Sequence, residues 1–154
     1  MEITRNLMSA KLITMKPEDS IIDAHLTMKE KEIRHIPIIN KENQLVGIVS
    51  SRDVQKAMII KKLNEFNNEI IIPSDYKIQD FMNWPVVTVR ENTHIKLVAE
   101  ILLTEKISSL VVLDEKSNIT GIVTTTDILT YVIKMIEDQT SSTHLTLAYY
   151  LSKQ

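Results

Sequence analysis

The chain has 154 residues, 44% of them hydrophobic and 25% charged, which is typical of a globular protein that buries a core. Its formal net charge of −2 gives no overall field to attract nucleic acid or an anionic membrane, so we expect neither as a partner. The absence of cysteine excludes disulfides and cysteine-ligated zinc, and without a signal-peptide pattern or a transmembrane-length apolar run the expected location is the cytoplasm.

The first half of the chain predicts five elements in the order strand, helix, strand, strand, helix. Compact β-branched runs predict the strands, apolar residues at helical spacing predict the helices, and a polar turn joins the second and third strands into a hairpin. The predicted elements are a strand at 12–15, a helix from Ile21 with Asp19 as its N-cap, strands at 35–40 and 45–50, and a helix from about Arg52 to Lys62.

A linker is predicted at 63–76, because its polar middle and the Pro73-Ser74 break favour a loop. Ser74 is predicted to cap a short helix that runs to Phe81. The tail, 138–154, ends in an apolar stretch at 145–151, which either covers this chain or contacts another subunit. After the linker the order of elements returns, with a strand at 86–89, a helix from Ile95 capped by Thr93, strands at 109–114 and 119–124, and a helix from Thr125 to about Glu137.

The two halves are copies of one unit. The only glycines in the chain, Gly47 and Gly121, lie 74 residues apart, and the same spacing carries Asp53 onto Asp127. Such internal similarity is typical of a duplicated supersecondary unit. A unit of roughly 50 residues is marginal as an independent core, so we expect the sheets to pack together in one pseudo-symmetric domain. The first repeat is assigned to 6–62 and the second to 77–137.

Both repeats contain the motif Gly-Ile-Val-[Ser/Thr]-[Ser/Thr]-x-Asp, at 47–53 and 121–127. It joins a strand to a helix, whose first turn offers unpaired N–H groups and a positive dipole end that suit a phosphate. The hydroxyl can donate to a phosphate or ribose oxygen, the carboxylate can accept from both hydroxyls of a ribose, and the isoleucine can lie against a base. The candidate ligand-binding residues are Ile48, Ser50 and Asp53 in the first repeat, and Ile122, Thr124 and Asp127 in the second.

The same motif has a purely structural interpretation. Ser-x-x-Asp and Thr-x-x-Asp are close to the capping box, in which hydroxyl and carboxylate satisfy only the helix's own first turn. The glycine then serves only to let strand and helix approach closely. The residues alone leave both interpretations open.

The motif, preceded by an apolar strand and a turn and followed by a helix, resembles the CBS-domain motif, and the resemblance extends from about Asn6 to Tyr131. It implies a tandem CBS pair, an α/β (α+β) module of two β-α-β-β-α repeats packed sheet to sheet. It further implies a ligand of the AMP, ATP or S-adenosylmethionine class, with Asp on the ribose, Ser or Thr near ribose or phosphate, and backbone around Thr14 and Thr88 contacting the base. A homodimer formed through helices, and an effector protein as partner, are also implied.

The residues just before the second strand often face the phosphates in this family, and here the repeats differ. The first repeat has Arg34 and His35 there, and the second has Ser108 and Ser109. A guanidinium and an imidazole suit a phosphate, whereas two serines supply hydroxyls without charge. Any phosphate would therefore be met mainly from the first repeat, which favours AMP or a less anionic adenosyl compound over ATP, unless the nearby cations Arg52, Lys11 and Lys16 also reach the phosphate. Alternatively, Arg34 is a solvated residue at a strand end.

The sequence predicts no catalytic residue, metal site or cofactor, because no histidine cluster, P-loop or nucleophile elbow is present. Two functions remain open. One is a sensor of an adenosyl ligand that signals to another protein, and the other is a ligand-free module that dimerises or docks a protein. For the sensor, Asp53→Ala and Asp127→Ala are each expected to abolish binding in their own repeat and leave the fold intact.

Overall fold

A computed structural model describes residues 2–62 and 68–139 as a mixed α+β structure. The helices in these two stretches are α1 (Ile21–Glu30), α2 (Ser51–Lys56), α3 (Ile95–Thr104) and α4 (Thr125–Gln139). The strands are β1 (His35–Ile39), β2 (Leu45–Ser50), β3 (Ile59–Lys62), β4 (Asn68–Ile71), β5 (Thr88–Arg90), β6 (Ser109–Leu113) and β7 (Ile119–Thr124). The apolar stretch at 145–151 lies outside the described residues.

Each repeat is built on one antiparallel hairpin, as the sequence predicts. β1 pairs with β2 and β6 with β7, and Gly47 lies opposite Ile38 in the same way that Gly121 lies opposite Val112. α1 covers the first hairpin with its apolar face, and α3 covers the second in the same way, which confirms the helical spacing. The buried core residues on these faces are Ile21, Ala24 and Met28 in α1, and Ile95, Val98 and Leu102 in α3.

The opening strand forms in one repeat only, as β5 at Thr88–Arg90 rather than at the predicted 86–89. β5 runs parallel to β6, and Glu91 N–H adds a further bond to Leu113 O at 3.2 Å. The position equivalent to Glu91 in the first repeat is Pro17, which has no N–H to donate. The strand predicted at 12–15 is therefore wrong, and a single parallel bridge between Met15 and Ile38 takes its place.

Both predicted helix caps are wrong by one residue. α1 begins after Ser20, whose Oγ accepts from Ile22 N at 3.1 Å, and α3 begins after His94, which makes no side-chain cap bond. Asp19 and Thr93 instead close the turn that precedes each helix, by accepting from the backbone N of Lys16 and Arg90 at 2.8 and 3.1 Å.

The second predicted helix ends at Lys56 rather than Lys62, because its C-terminal half is a strand. β3 pairs with β4 in an antiparallel hairpin, with Ile59 opposite Ile71, so the expected loop contains a strand from residue 68. Two consecutive isoleucines at the start of β3 favour extended backbone once a pairing partner is available. Ser74 caps no helix, and the short helix expected to reach Phe81 is a single 3₁₀ turn, Ile78–Asp80.

The repeats exchange short segments with each other. The 3₁₀ turn Thr4–Asn6 lies on the second repeat, where Thr4 N donates to Thr93 O at 2.9 Å and Ser9 forms a bridge with Ile122. Reciprocally, Ile78 N donates to Asp19 O at 2.9 Å, and Asn83 forms a bridge with Ile48. Each repeat is thus completed by residues that precede the other one, so the two halves form a single module. Across 2–62 and 68–139, no helix has both the length and the apolar character needed to cross a membrane.

Candidate functional site

Two clefts lie between the repeats, and each contains one motif. Cleft 1, about 430 Å³, is lined by Ser50 and Asp53 of the first motif and by residues 85–87 and 106–109 of the second repeat. Cleft 2, about 240 Å³, is lined by Thr124 and Asp127 of the second motif together with residues 11–13 and 32–35 of the first repeat. The motif isoleucines, Ile48 and Ile122, line the clefts of their own motifs.

The walls of the two clefts correspond at the 74-residue spacing of the repeats. In both, a motif from one repeat faces a turn and a mainly apolar entry segment from the other repeat, and this arrangement follows from the segment exchange. The entry segments are residues 11–13 in cleft 2 and 85–87 in cleft 1. A larger open depression of about 730 Å³ lies around Arg5, Arg90 and Asp114 and contains no motif residue. A further depression of about 560 Å³ beside α4 contains Asp127 but neither the hydroxyl nor the isoleucine of its motif. The two clefts are therefore the places where the hydroxyl, carboxylate and isoleucine of a motif are presented together.

Both motifs form the capping box that the sequence left as an alternative. In the first, Asp53 Oδ2 accepts from Ser50 N at 2.9 Å and from Ser50 Oγ at 2.6 Å, and Asp53 N donates back to Ser50 Oγ at 3.3 Å. In the second, Asp127 Oδ2 accepts from Thr124 N and Oγ1 at 2.6 and 2.7 Å. One carboxylate oxygen of each aspartate is thus committed to its own helix.

The two aspartates differ in their exposure and in the partners of their second carboxylate oxygen, Oδ1. Asp53 is only 3% exposed, its Oδ1 accepts from Lys56 Nζ at 2.7 Å, and its Oδ2 also accepts from Asn83 Nδ2 at 2.9 Å. Burial alone raises the pKa of Asp53, but the bonds from Lys56, Ser50 and Asn83 outweigh it, and the pKa lies below its usual value. Asp127 is partly exposed, and its Oδ1 has no hydrogen-bond partner in the part of the chain that the structure describes.

Arg34 and His35 lie in the wall that the clefts share, since both residues line both. Arg34 Nη2 donates to Thr126 Oγ1 at 2.8 Å, and His35 Nε2 lies 3.0 Å from Ser108 Oγ. Burial, followed by the charge of Arg34, lowers the pKa of His35 to about 4, so the imidazole is neutral near pH 7. Of this pair, only Arg34 can meet a phosphate with positive charge.

The remaining predicted residues divide between the cleft walls and the sheets. Ser108 and Ser109 line cleft 1 alone, and Ser109, nearly buried, also pairs with Thr124 in the hairpin. Thr14 and Thr88 line neither cleft, although the residues just before them do. Thr88 is instead paired with Val111 in the sheet.

Sequence reasoning missed several charged or polar residues that line the clefts. They belong to turns and helix surfaces that the motif does not reach, and Asn83 lies 30 residues away from the Asp53 it contacts. Comparing charges at equivalent positions of the repeats would have revealed the turn residues. The missed lining residues are Glu32 in cleft 2, and Lys56, Asn83 and Lys106 in cleft 1.

Comparisons with known proteins agree with this geometry. A family model described as CBS domain matches residues 4–60 and 78–134. Among solved structures, the chain is similar to the CBS domain pair of protein MJ0100 in complex with 5′-methylthioadenosine and S-adenosyl-L-methionine. The TM-score is 0.73 at 27% identity, and the match covers 88% of this chain and 98% of that one.

Curated relatives include proteins of very different length. The chain is 32% identical to a homoserine O-acetyltransferase of Methanohalobium evestigatum over 80% of its own residues, but it spans only 22% of that enzyme. It is 26% identical to a CBS domain-containing protein of Dictyostelium discoideum, with 88% of this chain and 94% of that protein covered.

Proposed function

This chain belongs to the CBS-domain family, and on that premise we propose that it is a non-catalytic regulatory module that binds an adenine nucleotide or adenosyl ligand between its repeats. One observation carries the proposal. In each cleft, a hydroxyl and a carboxylate of one repeat face an apolar entry segment of the other, at equivalent positions. A nucleoside has the same division, with a flat base on one side and a polar ribose on the other.

The pose follows from the chemistry of the walls. In cleft 2 the ribose diol donates to Asp127, and in cleft 1 it donates to Asp53 Oδ1 in place of the exposed Lys56 side chain. The charge of the carboxylate strengthens these hydrogen bonds. The base enters the apolar space, between Ile48 and residues 86–87 in cleft 1 and between Ile122 and residues 12–13 in cleft 2. The backbone there supplies the edge contacts that the resemblance assigns to the stretches around Thr14 and Thr88. The ligand candidates are AMP, ATP and S-adenosylmethionine.

The similar CBS pair of protein MJ0100 was solved with 5′-methylthioadenosine and S-adenosyl-L-methionine, which supports an adenosyl ligand for this chain. In our proposal the module works in the cytoplasm, and ligand binding changes its affinity for an effector protein. It catalyses no reaction itself, and the matched part of the acetyltransferase is a minor share of that enzyme.

A ligand-free interaction module is the second candidate, and the capping boxes favour it. Both motifs satisfy their own helix without a ligand, so the residues have a structural role even if the clefts stay empty. A titration that detects no ligand would select this function.

We also propose that the module is a homodimer formed through α4. Four large apolar side chains recur along one stripe of this helix, at the spacing of a contact face. They are exposed by 42 to 63%, although a solvent-facing stripe would normally be polar. A second copy would cover the stripe by presenting the same surface. The stripe consists of Leu129, Val132, Ile133 and Ile136.

The test of the ligand proposal is isothermal titration of the protein with AMP, ATP and S-adenosylmethionine. Asp53→Ala and Asp127→Ala remove the carboxylate from one cleft each, and Asp23→Ala removes an exposed carboxylate that lines neither. Saturable heat that a cleft variant loses and Asp23→Ala retains establishes the binding module. No heat with any of the three ligands would reject it in favour of the interaction module.

A further inference from the structure

The two clefts differ in charge. Cleft 2 balances two cations, Lys11 and Arg34, against two carboxylates, Glu32 and Asp127. Cleft 1 sets four cations against a single carboxylate, that of the buried Asp53. All four cationic side chains of cleft 1 are exposed, so the free protein pays no cost for burying their charges, and each is accessible to an incoming ligand. The four are Arg34, Arg52, Lys56 and Lys106.

This difference arises at equivalent positions of a common backbone. Lys106 of cleft 1 and Glu32 of cleft 2 lie 74 residues apart and adopt the same left-handed conformation, each with φ of 54°. Arg52 corresponds to Thr126 at the same spacing of 74 residues, and Lys56 to Thr130. At all three pairs of equivalent positions the cation belongs to cleft 1. At one of them, Lys106 and Glu32, cleft 2 has a carboxylate instead.

Two of these cations remain available even when the internal pairs are considered. Lys56 already contacts Asp53 Oδ1, so part of its charge is used within the protein. Arg34 donates to Thr126, on the side of cleft 2. Lys106 and Arg52 therefore give cleft 1 a positive field of its own, whereas Glu32 in cleft 2 cancels the field of Lys11 or Arg34.

We infer that the clefts select adenosyl ligands by charge: cleft 1 takes a phosphorylated nucleoside, and cleft 2 takes an uncharged or cationic one. This rests on the proposed function and deepens it. A nucleoside monophosphate carries a charge between about −1.5 and −2 near pH 7, so it gains attraction in cleft 1 and meets the carboxylate of Glu32 in cleft 2. A ligand without phosphate loses nothing in cleft 2, where Asp127 keeps an oxygen for the ribose.

Reciprocal charge swaps test the inference, because each introduces a residue that the equivalent turn already accommodates. Lys106→Glu and Glu32→Lys are titrated calorimetrically with adenosine and with AMP, which differ only in the phosphate. Each titration is repeated in the Asp53→Ala and Asp127→Ala backgrounds, which remove the motif carboxylate of cleft 1 and of cleft 2 and so assign each binding event to its cleft.

The expected results separate the clefts. Lys106→Glu weakens AMP binding in cleft 1, the event that Asp53→Ala removes, by about tenfold and leaves adenosine binding within about twofold, because reversing one charge acts on the phosphate alone. Glu32→Lys strengthens AMP binding in cleft 2, the event that Asp127→Ala removes. If Lys106→Glu does not fold, Arg52→Thr repeats the cleft 1 test with the residue found at position 126.

Two other outcomes overturn the inference, and they have different meanings. An AMP-to-adenosine affinity ratio that neither swap changes would refute charge selection and leave the proposed function in place. Failure of the unmodified protein to bind adenosine, AMP or S-adenosylmethionine would overturn both.

Discussion

Asn83 Nδ2 donates to Asp53 Oδ2 at 2.9 Å, so the segment that enters the second repeat holds the motif carboxylate of the first. The same segment pairs its backbone with Ile48, two residues before the end of β2. The position of the carboxylate in cleft 1 therefore depends on the contact between repeats as well as on its own helix.

Asn83→Ser, which introduces the residue found at the equivalent position 9, is expected to lower the free energy of unfolding by about 1.5–3 kcal/mol, the usual contribution of a hydrogen bond to a charged group. It also removes one of the bonds that lower the pKa of Asp53. Urea unfolding at pH 7 measures the change in midpoint. An unchanged midpoint would show that the bond contributes nothing net.

Asp53→Ala and Asp127→Ala are expected to differ in stability, contrary to the sequence-based expectation that both leave the fold intact. Asp53 is buried and bonded to Lys56, Ser50 and Asn83, so its removal leaves buried donors unpaired and costs about 3 kcal/mol. Asp127 accepts only from Thr124 among the described residues, so its loss costs about 1 kcal/mol. Thermal unfolding compares the two, and equal losses would contradict this assignment.

The two glycines are expected to respond unequally to alanine. A Cβ at Gly47 would lie 2.5 Å from Met82 Sδ, which a flexible side chain can relieve, whereas at Gly121 it would lie 2.7 Å from Ser9 O, a backbone atom. Gly47→Ala should therefore cost about 1 kcal/mol or less and Gly121→Ala about 2–3 kcal/mol, in the range of overpacking. Denaturant unfolding of both variants checks the order, and a larger cost at Gly47 would reverse the argument.

The depressed pKa of His35 predicts a pH dependence of stability. The pKa of His35 is about 4 in the folded protein and 6.5 in the unfolded chain, so between pH 4 and pH 6.5 the unfolded chain binds more protons than the folded protein. Stability should be highest above pH 6.5 and should fall as the pH drops, by about 2–3 kcal/mol at pH 4. His35→Gln, compared with the unmodified protein by urea unfolding from pH 7 to 4, should lack this part of the loss. Parallel curves for the two proteins would contradict the prediction.

Ile133→Lys is expected to convert the proposed dimer to a monomer, because it places a charge at the centre of the exposed apolar stripe on α4. Leu26→Lys is the matched control, since Leu26 is an equally large exposed apolar residue but lies on α1. Light scattering coupled to size-exclusion chromatography measures the mass of each. A monomeric unmodified protein, or a dimer that persists in Ile133→Lys, would reject α4 as the interface.

Local patterns were sufficient to predict most of the elements. The apolar spacing in α1 and α3 and the two hairpins follow from periodicity that the burial of Ile21, Val98 and Val112 then confirms. Interactions distant in sequence explain the failures. The strand at 12–15 is lost to the missing N–H of Pro17, and α2 is shortened because Ile59 finds a partner in Ile71.

The motif residues of the candidate site could be predicted from the sequence, but the side chains that surround them could not. Spacing alone identified Asp53 and Asp127, since the motif occurs twice at equivalent places. It did not show that Asn83 and Lys56 both donate to Asp53, whereas neither donates to Asp127. The contact from Asn83 depends on how the repeats are arranged in space, whereas Lys56 lies three residues after Asp53 on the same helix.

The exchanged segments have a consequence for how this chain can be divided. A cut between residues 62 and 77 would leave the first fragment with residues 4–9, which pack on the second repeat, and the second fragment with residues 78–83, which pack on the first. Neither fragment would then contain the segment that completes its own sheet. Mixed together, the fragments would reassemble the module, as in split-protein complementation. A single ancestral repeat could have made the same exchange between two identical chains, because Thr4 and Ile78 occupy equivalent buried positions. Gene duplication then needed only to join partners that were already paired.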